Sequence, residues 1–316
     1  RRPPRSTHCI SSAASDVYKR QHIMTDFGKL LTASITPFDS NGVINTDTFW
    51  RLCRKLVHDK SDGLVLTGTT GESPNLTIKD REIIYTTALD SVGEKASIVA
   101  GTGTYSTSET IEITRMADSI GVDGIMIVTP YYSKPSQRGI LKHFEEVSKV
   151  TDLPIMAYNI PGRTSTLIEL ETLVSLADDI GIHSIKDAVG NFDFSKKELE
   201  ALQNKVDIYS GNDNETLDFM KNGGKGVVSV ASHVVGNEIY EMMESVQNND
   251  IKKAEAIDND LGELFKALFE EPSPGPIKKI LSESWEDVGE PLLPITDIST
   301  ELANKIRGIY SKIKER

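Results

Sequence analysis

The feature that most constrains this chain is a rhythm. Eight short apolar runs alternate with longer amphipathic segments: Leu31 to Ile35, Leu64 to Leu66, Ser97 to Ala100, Gly124 to Val128, Ile155 to Tyr158, Ile182 to Lys186, Asp207 to Ser210 and Gly226 to Val230. Their starts run from residue 31 to residue 226, a mean spacing of about 28 residues, which is one strand, one helix and two short connections. Eight such units predict an α/β fold of the (β/α)8 kind, a TIM barrel of roughly 250 residues. An open doubly wound sheet shares the rhythm but usually has fewer strands. Helix starts are marked by Thr77 with Asp80 and by Ser106 with Glu109, both at capping-box spacing. Beyond the eighth run, helical patterns near Asn249 to Leu268, Pro276 to Ser284 and Ile298 to Lys312 predict a helical extension, so the barrel is expected over 24–248 and a C-terminal helical domain over 249–316. Pro272-Ser273-Pro274-Gly275-Pro276 reads as a rigid connector between two of these helices.

Residues 1–23 are basic and Ser-rich with no periodic apolar face, and Ser11 to Gln21 resembles translated sequencing-adapter read-through. We set them outside the fold, with Met24 opening the folded chain. They hold five basic residues and one acid, so the remainder is more acidic than the formal net charge of -12. No Lys/Arg cluster is backed by aromatic residues, which argues against nucleic acid as a partner. The two cysteines, Cys9 and Cys53, are too few for a disulfide framework or a zinc site, and a reducing cytoplasm fits them. Cys53 lies at helical spacing with Phe49 and Leu56 and reads as a small buried hydrophobe. No apolar run approaches the ~18 residues that a membrane-crossing helix needs.

Chemistry concentrates at three strand ends. The run before Ile185-Lys186-Asp187-Ala188-Val189-Gly190 places Lys186 at the carboxyl end of the sixth strand, where barrel folds hold their active sites. An exposed lysine is charged at neutral pH, and only the neutral amine attacks a carbonyl. Burial at a barrel mouth that lowers its pKa to about 7 to 8 works against the ammonium by roughly 3 to 5 kcal/mol. Taken alone, Lys186 is one of 35 basic residues and reads as a surface charge. Two companion motifs reverse that reading. Gly68-Thr69-Thr70-Gly71-Glu72-Ser73 follows the second strand, and its glycines let backbone N–H groups and hydroxyls converge on a carboxylate. Tyr158-Asn159-Ile160-Pro161-Gly162-Arg163-Thr164 follows the fifth. There Tyr158 reads as core or as a proton shuttle, and Arg163, on a loop stiffened by Pro161, reads as a solvated cation or a carboxylate fork.

Other chemistries lack their motifs. Neither Gly68 to Ser73 nor Gly224-Lys225-Gly226 is a phosphate-binding P-loop, and Gly101 to Ser106 lacks the third glycine of a dinucleotide fingerprint. No Gly-x-Ser-x-Gly elbow or His-x-x-x-His pair occurs, and His58, His143, His183 and His233 show no ligand spacing.

Together with Thr129-Pro130-Tyr131-Tyr132, Ser210-Gly211-Asn212-Asp213 and Pro274-Gly275-Pro276-Ile277-Lys278, these motifs resemble the dihydrodipicolinate synthase family. That family belongs to the pyruvate-dependent lyases, which also include N-acetylneuraminate lyase, and the resemblance runs from about Leu31 to Thr296. It implies a barrel with C-terminal helices, usually a homotetramer of two tight dimers, with no metal and no organic cofactor. It also implies that Lys186 forms a Schiff base with pyruvate, that Tyr158 transfers protons through a relay with Thr69 and Tyr132, and that Tyr132 enters the neighbouring subunit's site. Thr70 would hold the pyruvate carboxylate, Arg163 the carboxylate of L-aspartate semialdehyde, and Gly211 and Val228 would line the imine pocket. Asn212 stands where many members carry Asp, and Ser273 where many carry Asn.

Two rivals share or lose this chemistry. A neuraminate or keto-deoxy sugar acid aldolase uses the same lysine and tyrosine, but neuraminate lyases carry Leu at the position of Arg163. A non-catalytic binding relative would be expected to lack Lys186 or Tyr158. At the positions of the family's lysine-effector pocket, Glu109 and Tyr131 keep the pattern, whereas Pro74, Ile78, Arg81 and Tyr105 depart from it. Weak or absent feedback inhibition by lysine is the expectation.

Overall fold

The computed structural model describes residues 26–315. Residues 1–23, set outside the fold above, lie outside the described residues. Eight parallel strands close into one barrel in chain order: β1 Leu30–Ala33, β2 Gly63–Leu66, β3 Ser97–Gly101, β4 Gly124–Val128, β5 Ile155–Asn159, β6 Ser184–Asp187, β7 Asp207–Ser210 and β8 Gly226–Ser229. Closure comes from β1 and β8, where Leu30, Leu31 and Thr32 pair with Val227, Val228 and Ser229. Gly226 makes that seam possible, since a Cβ there would lie 1.9 Å from the Lys29 carbonyl oxygen.

Helices flank the strands: α1 Thr46–His58, α2 Ile78–Val92, α3 Thr107–Ile120, α4 Gln137–Ser148, the single turn α5 Pro161–Thr164, α6 Leu170–Ser175, α7 Phe192–Leu202, α8 Thr216–Lys221 and α9 Ser232–Gln247. Three more follow, α10 Ile251–Ala267, α11 Gly275–Ser284 and α12 Thr300–Lys314. The strands are buried on both faces, β4 only partly at Val128 and β7 only partly at Asp207, and the one-sided helices cover them. Each fully buried Leu, Ile or Phe in that sandwich contributes roughly 1.5 to 3 kcal/mol of transfer free energy. Phe49, Cys53 and Leu56 all lie on the buried stripe of α1, and burial pushes the Cys53 thiol up, so it stays protonated and inert.

Differences from the sequence expectation are local and have physical reasons. Ile35, Ile182 and Val230 are buried yet lie outside the ladders, because apolar character reports burial and not pairing. Polar Asn159 extends β5 because its side chain is occupied. Its Nδ2 donates to the Ile168 carbonyl at 3.0 Å, and its Oδ1 accepts from the Ile168 N–H at 3.0 Å. Thr77 and Asp80 form a full capping box, whereas Ser106 caps Glu109 from one side only. The proline-rich connector is shorter than expected. Gly275 and Pro276 already belong to α11, since first-turn residues need no intrahelical acceptor for their N–H groups. Arg163 likewise sits on the helical turn α5 rather than on a loop.

Candidate active site

Lys186 and Tyr158 are register partners on β6 and β5, so their side chains project side by side into the barrel mouth. Lys186 is 5% exposed and Tyr158 4%. The Lys186 Nζ lies 4.2 Å from the centroid of the phenol ring. A ring face favours an ammonium by about 0.5 to 2 kcal/mol, and Asp213 favours it too. Burial outweighs both. Desolvation, aided by the cationic Arg163, lowers the lysine from 10.5 to about 7, roughly 5 kcal/mol of bias against the charged form.

Burial raises the Tyr158 phenol, while a hydrogen bond with the Thr69 side chain and the charge of Arg163 draw it back. Thr69 stands on the turn that follows β2. The Glu72 N–H donates to the Thr69 carbonyl at 3.1 Å and the Ser73 N–H to the Gly68 carbonyl at 3.2 Å. Thr36 Oγ1, on the segment after β1, fixes the turn by donating to the Gly71 carbonyl at 2.8 Å. Thr70 is buried within it at 5% exposure.

A cavity of about 220 Å³ opens beside Tyr158, lined by Gly68, Thr69, Tyr131, Tyr158, Arg163 and Thr164 among others. Arg163 reaches it from an exposed position on α5. Lys186, Thr70, Gly211 and Val228 do not line this cavity, and Tyr158 is the residue that the lysine and the cavity share. Val228 is wholly buried in β8. Gly211 N–H donates to the Asp187 carbonyl at 2.5 Å, and a Cβ there would stand 2.7 Å from the Ala188 Cβ, so glycine lets β7 approach the end of β6. Tyr132 is 94% exposed, takes a left-handed φ of 70°, and is absent from the cavity wall that Tyr131 helps to form.

Three buried carboxyls, Asp213, Asp187 and Glu198, were not singled out by sequence reasoning. Asp213, 3% exposed, is held by the Ser229 hydroxyl and by the N–H groups of Val230 at 3.1 Å and Ala231 at 2.9 Å. Burial raises its carboxyl, and its bonds and Lys186 oppose that rise. The Ser210 to Asp213 motif marked the position, but the wrapping by residues 229–231 had no local signal. On the outer face of β6, Asp187 accepts from the Ser195 hydroxyl at 2.5 Å and the Val189 N–H at 2.7 Å. Burial, then the Asp187 charge, pushes the neighbouring Glu198 carboxyl well up, and burial raises Asp187 as well.

Around the expected effector positions, Pro74 and Tyr131 line the same cavity, and Tyr105 meets Tyr131 edge-on at 5.7 Å. Arg81 is buried, and its guanidinium donates to the Gly101 carbonyl at 2.9 Å, the Ser73 carbonyl at 3.0 Å and the Ser73 hydroxyl at 2.7 Å. His233 is also occupied internally, with Nε2 accepting from the Ile35 N–H at 3.2 Å. Burial lowers it to about 4.

A closed parallel barrel with a buried, readily deprotonated lysine packed on a tyrosine is the framework of a Schiff-base-forming lyase. The model of the dihydrodipicolinate synthetase family matches residues 26–313, and the chain belongs to that family. It is 45% identical over 291 residues to the 4-hydroxy-tetrahydrodipicolinate synthase of Thermosynechococcus vestitus, covering 92% of this chain and 98% of that protein. With the enzyme of the same name from Desulforudis audaxviator it shares 44% identity over 282 residues, 89% of this chain and 96% of the other. Among solved structures it is similar to the Cyanidioschyzon merolae enzyme with lysine bound. The TM-score is 0.89 at 37% identity, covering 91% of this chain and 98% of that one.

Proposed function

We propose that this chain condenses pyruvate with L-aspartate semialdehyde to give 4-hydroxy-tetrahydrodipicolinate, the step after which its relatives are named. The observation that carries the chemistry is Lys186 held near neutrality against Tyr158. The neutral Lys186 amine attacks C2 of pyruvate, and loss of the carbonyl oxygen as water leaves an imine. Tyr158, kept protonated by burial, gives and retrieves the protons, with the Thr69 hydroxyl as the next member of the relay. Loss of a C3 proton gives an enamine, whose C3 attacks the aldehyde carbon of the semialdehyde. The semialdehyde amino group then adds to C2 and displaces Lys186, closing the ring and regenerating the free amine.

In this reading Thr70 and its turn hold the pyruvate carboxylate, Arg163 takes the semialdehyde carboxylate, and Gly211 and Val228 shape the imine pocket. Exposure of Tyr132 supports its departure from its own chain to complete the relay in a neighbouring subunit, within a homotetramer built from two tight dimers. Residues 249–316 act as a C-terminal helical domain beside the barrel of residues 24–248, and the enzyme works in the cytoplasm without metal or organic cofactor. Arg163 on the cavity wall favours the semialdehyde over a sugar acid, because a short carboxylate substrate needs that cation. A coupled assay of pyruvate with L-aspartate semialdehyde, run beside pyruvate release from sialic acid, tests the proposal. Release from sialic acid without semialdehyde turnover would overturn it.

A further inference from the structure

Glu72 follows the Thr69-Thr70 pair, and its backbone is left-handed, with φ 60° and ψ 37°. An L side chain adopts that conformation only when its surroundings hold it there. The surroundings here come from the far end of the chain. Glu72 Oε1 lies 2.7 Å from the Lys278 Nζ, with both side chains almost wholly buried, and Oε2 accepts from the Leu292 N–H at 2.7 Å. Lys278 stands in the first turn of α11, donates to the Glu290 carbonyl at 3.2 Å, and places its Nζ 4.4 Å from the centroid of the Phe38 ring. Phe38 is tied to the same segment by its N–H, which donates to the Val288 carbonyl at 3.1 Å.

We propose that Glu72 and Lys278 are positioning residues: their buried ion pair fastens the C-terminal helices onto the turn after β2 and thereby sets Thr69 against the Tyr158 phenol. A buried ion pair is a poor source of stability, since apolar residues of similar volume often do as well or better. Its use here is geometric. The same residue whose carboxylate is gripped closes the turn through its own N–H on the Thr69 carbonyl, so a shift of Glu72 moves Thr69 directly. The ion pair of Lys205 with Asp178 at 2.7 Å, by contrast, has both side chains close to half exposed. The proposal assigns a task to the Pro274 to Lys278 motif, which the chemistry of the barrel mouth leaves unused, and it rests on the reading of Tyr158 and Lys186 given above.

The test is the double variant Glu72→Leu/Lys278→Met, which removes both charges and keeps an apolar fit, with Glu72→Gln as a second variant. Thermal midpoint, borohydride trapping of pyruvate, and kcat and KM for the condensation are measured on full-length protein. We expect the double variant to melt close to wild type, with kcat and the trapping rate down on the order of 100-fold and KM for pyruvate within about threefold. A folded double variant with kcat within about threefold of wild type overturns the proposal. Should the double variant not fold, Glu72→Gln decides by the same criteria. Wild type that neither traps pyruvate nor condenses it overturns the functional reading and this proposal with it. Active wild type beside an unaffected variant overturns this proposal alone.

Discussion

Tyr158 and Lys186 face each other across the β5–β6 ladder, with the lysine nitrogen 4.2 Å from the ring centroid. The contact pairs a group that must lose a proton to act with one that must keep it, and burial drives both in the required direction. Reactivity here is a consequence of packing, so it can be tested through pH, side-chain truncation and ligand titration.

Lys186 titrates at about 7 instead of 10.5. The rate of imine formation with pyruvate should therefore rise with pH through an inflection near 7 and level off above it. The folded chain releases this proton before the unfolded chain does, so stability from this group grows as pH rises from about 7 to 10.5 and is lost again on descent through that window. Lys186→Met should be inactive, yet more stable than wild type by a few kcal/mol near about pH 6, where the buried ammonium is most costly. Stopped-flow trapping and denaturant melts measure both, and an inflection that stays at the value of a free lysine would refute the assignment.

Tyr158→Phe keeps the ring beneath the lysine and removes only the hydroxyl that meets Thr69. The condensation kcat should fall on the order of 10²- to 10⁴-fold, while the lysine inflection stays close to wild type. Intact turnover in this variant would remove Tyr158 from the proton path.

Arg163→Ala should spare imine formation and weaken semialdehyde turnover by about 2 to 3 kcal/mol, a loss on the order of 30- to 150-fold in kcat/KM. Because Arg163 helps to lower Lys186, the lysine inflection should move upward in the same variant. Unchanged semialdehyde kinetics would favour the sugar-acid chemistry instead.

L-Lysine should inhibit weakly or not at all. Arg81 is committed to Ser73 and Gly101, and a lysine bound at the expected effector positions would bring a second cation towards its permanent charge. Tyr105 puts a ring edge-on against Tyr131 and departs from the family's pattern at that position. Half-inhibition at submillimolar lysine in the coupled assay would show that the pocket accepts these substitutions.

Much of the barrel was legible because its signal is local. Alternation of short apolar runs with amphipathic segments reports burial on a fixed period, and the period sets the number of strands. Lys186 was marked less directly: alone it is one of 35 basic residues, and the motifs after β2 and β5 were what drew attention to its strand end. Strand limits were less legible: Asn159 entered β5 through bonds to Ile168 that no propensity encodes.

What the sequence by itself determined is therefore the repeating unit, the residue types at the strand ends and the one-sided helices that cover them, since each depends on neighbours a few positions away. Only the tertiary structure decided which of those ends share a site. The register that sets Tyr158 beside Lys186, the wrapping of Asp213 by residues 229–231 and the grip of Lys278 on Glu72 all join distant stretches of chain. Such contacts form when closure of the barrel excludes water and makes each buried polar group find a partner, and that condition has no local signature to read.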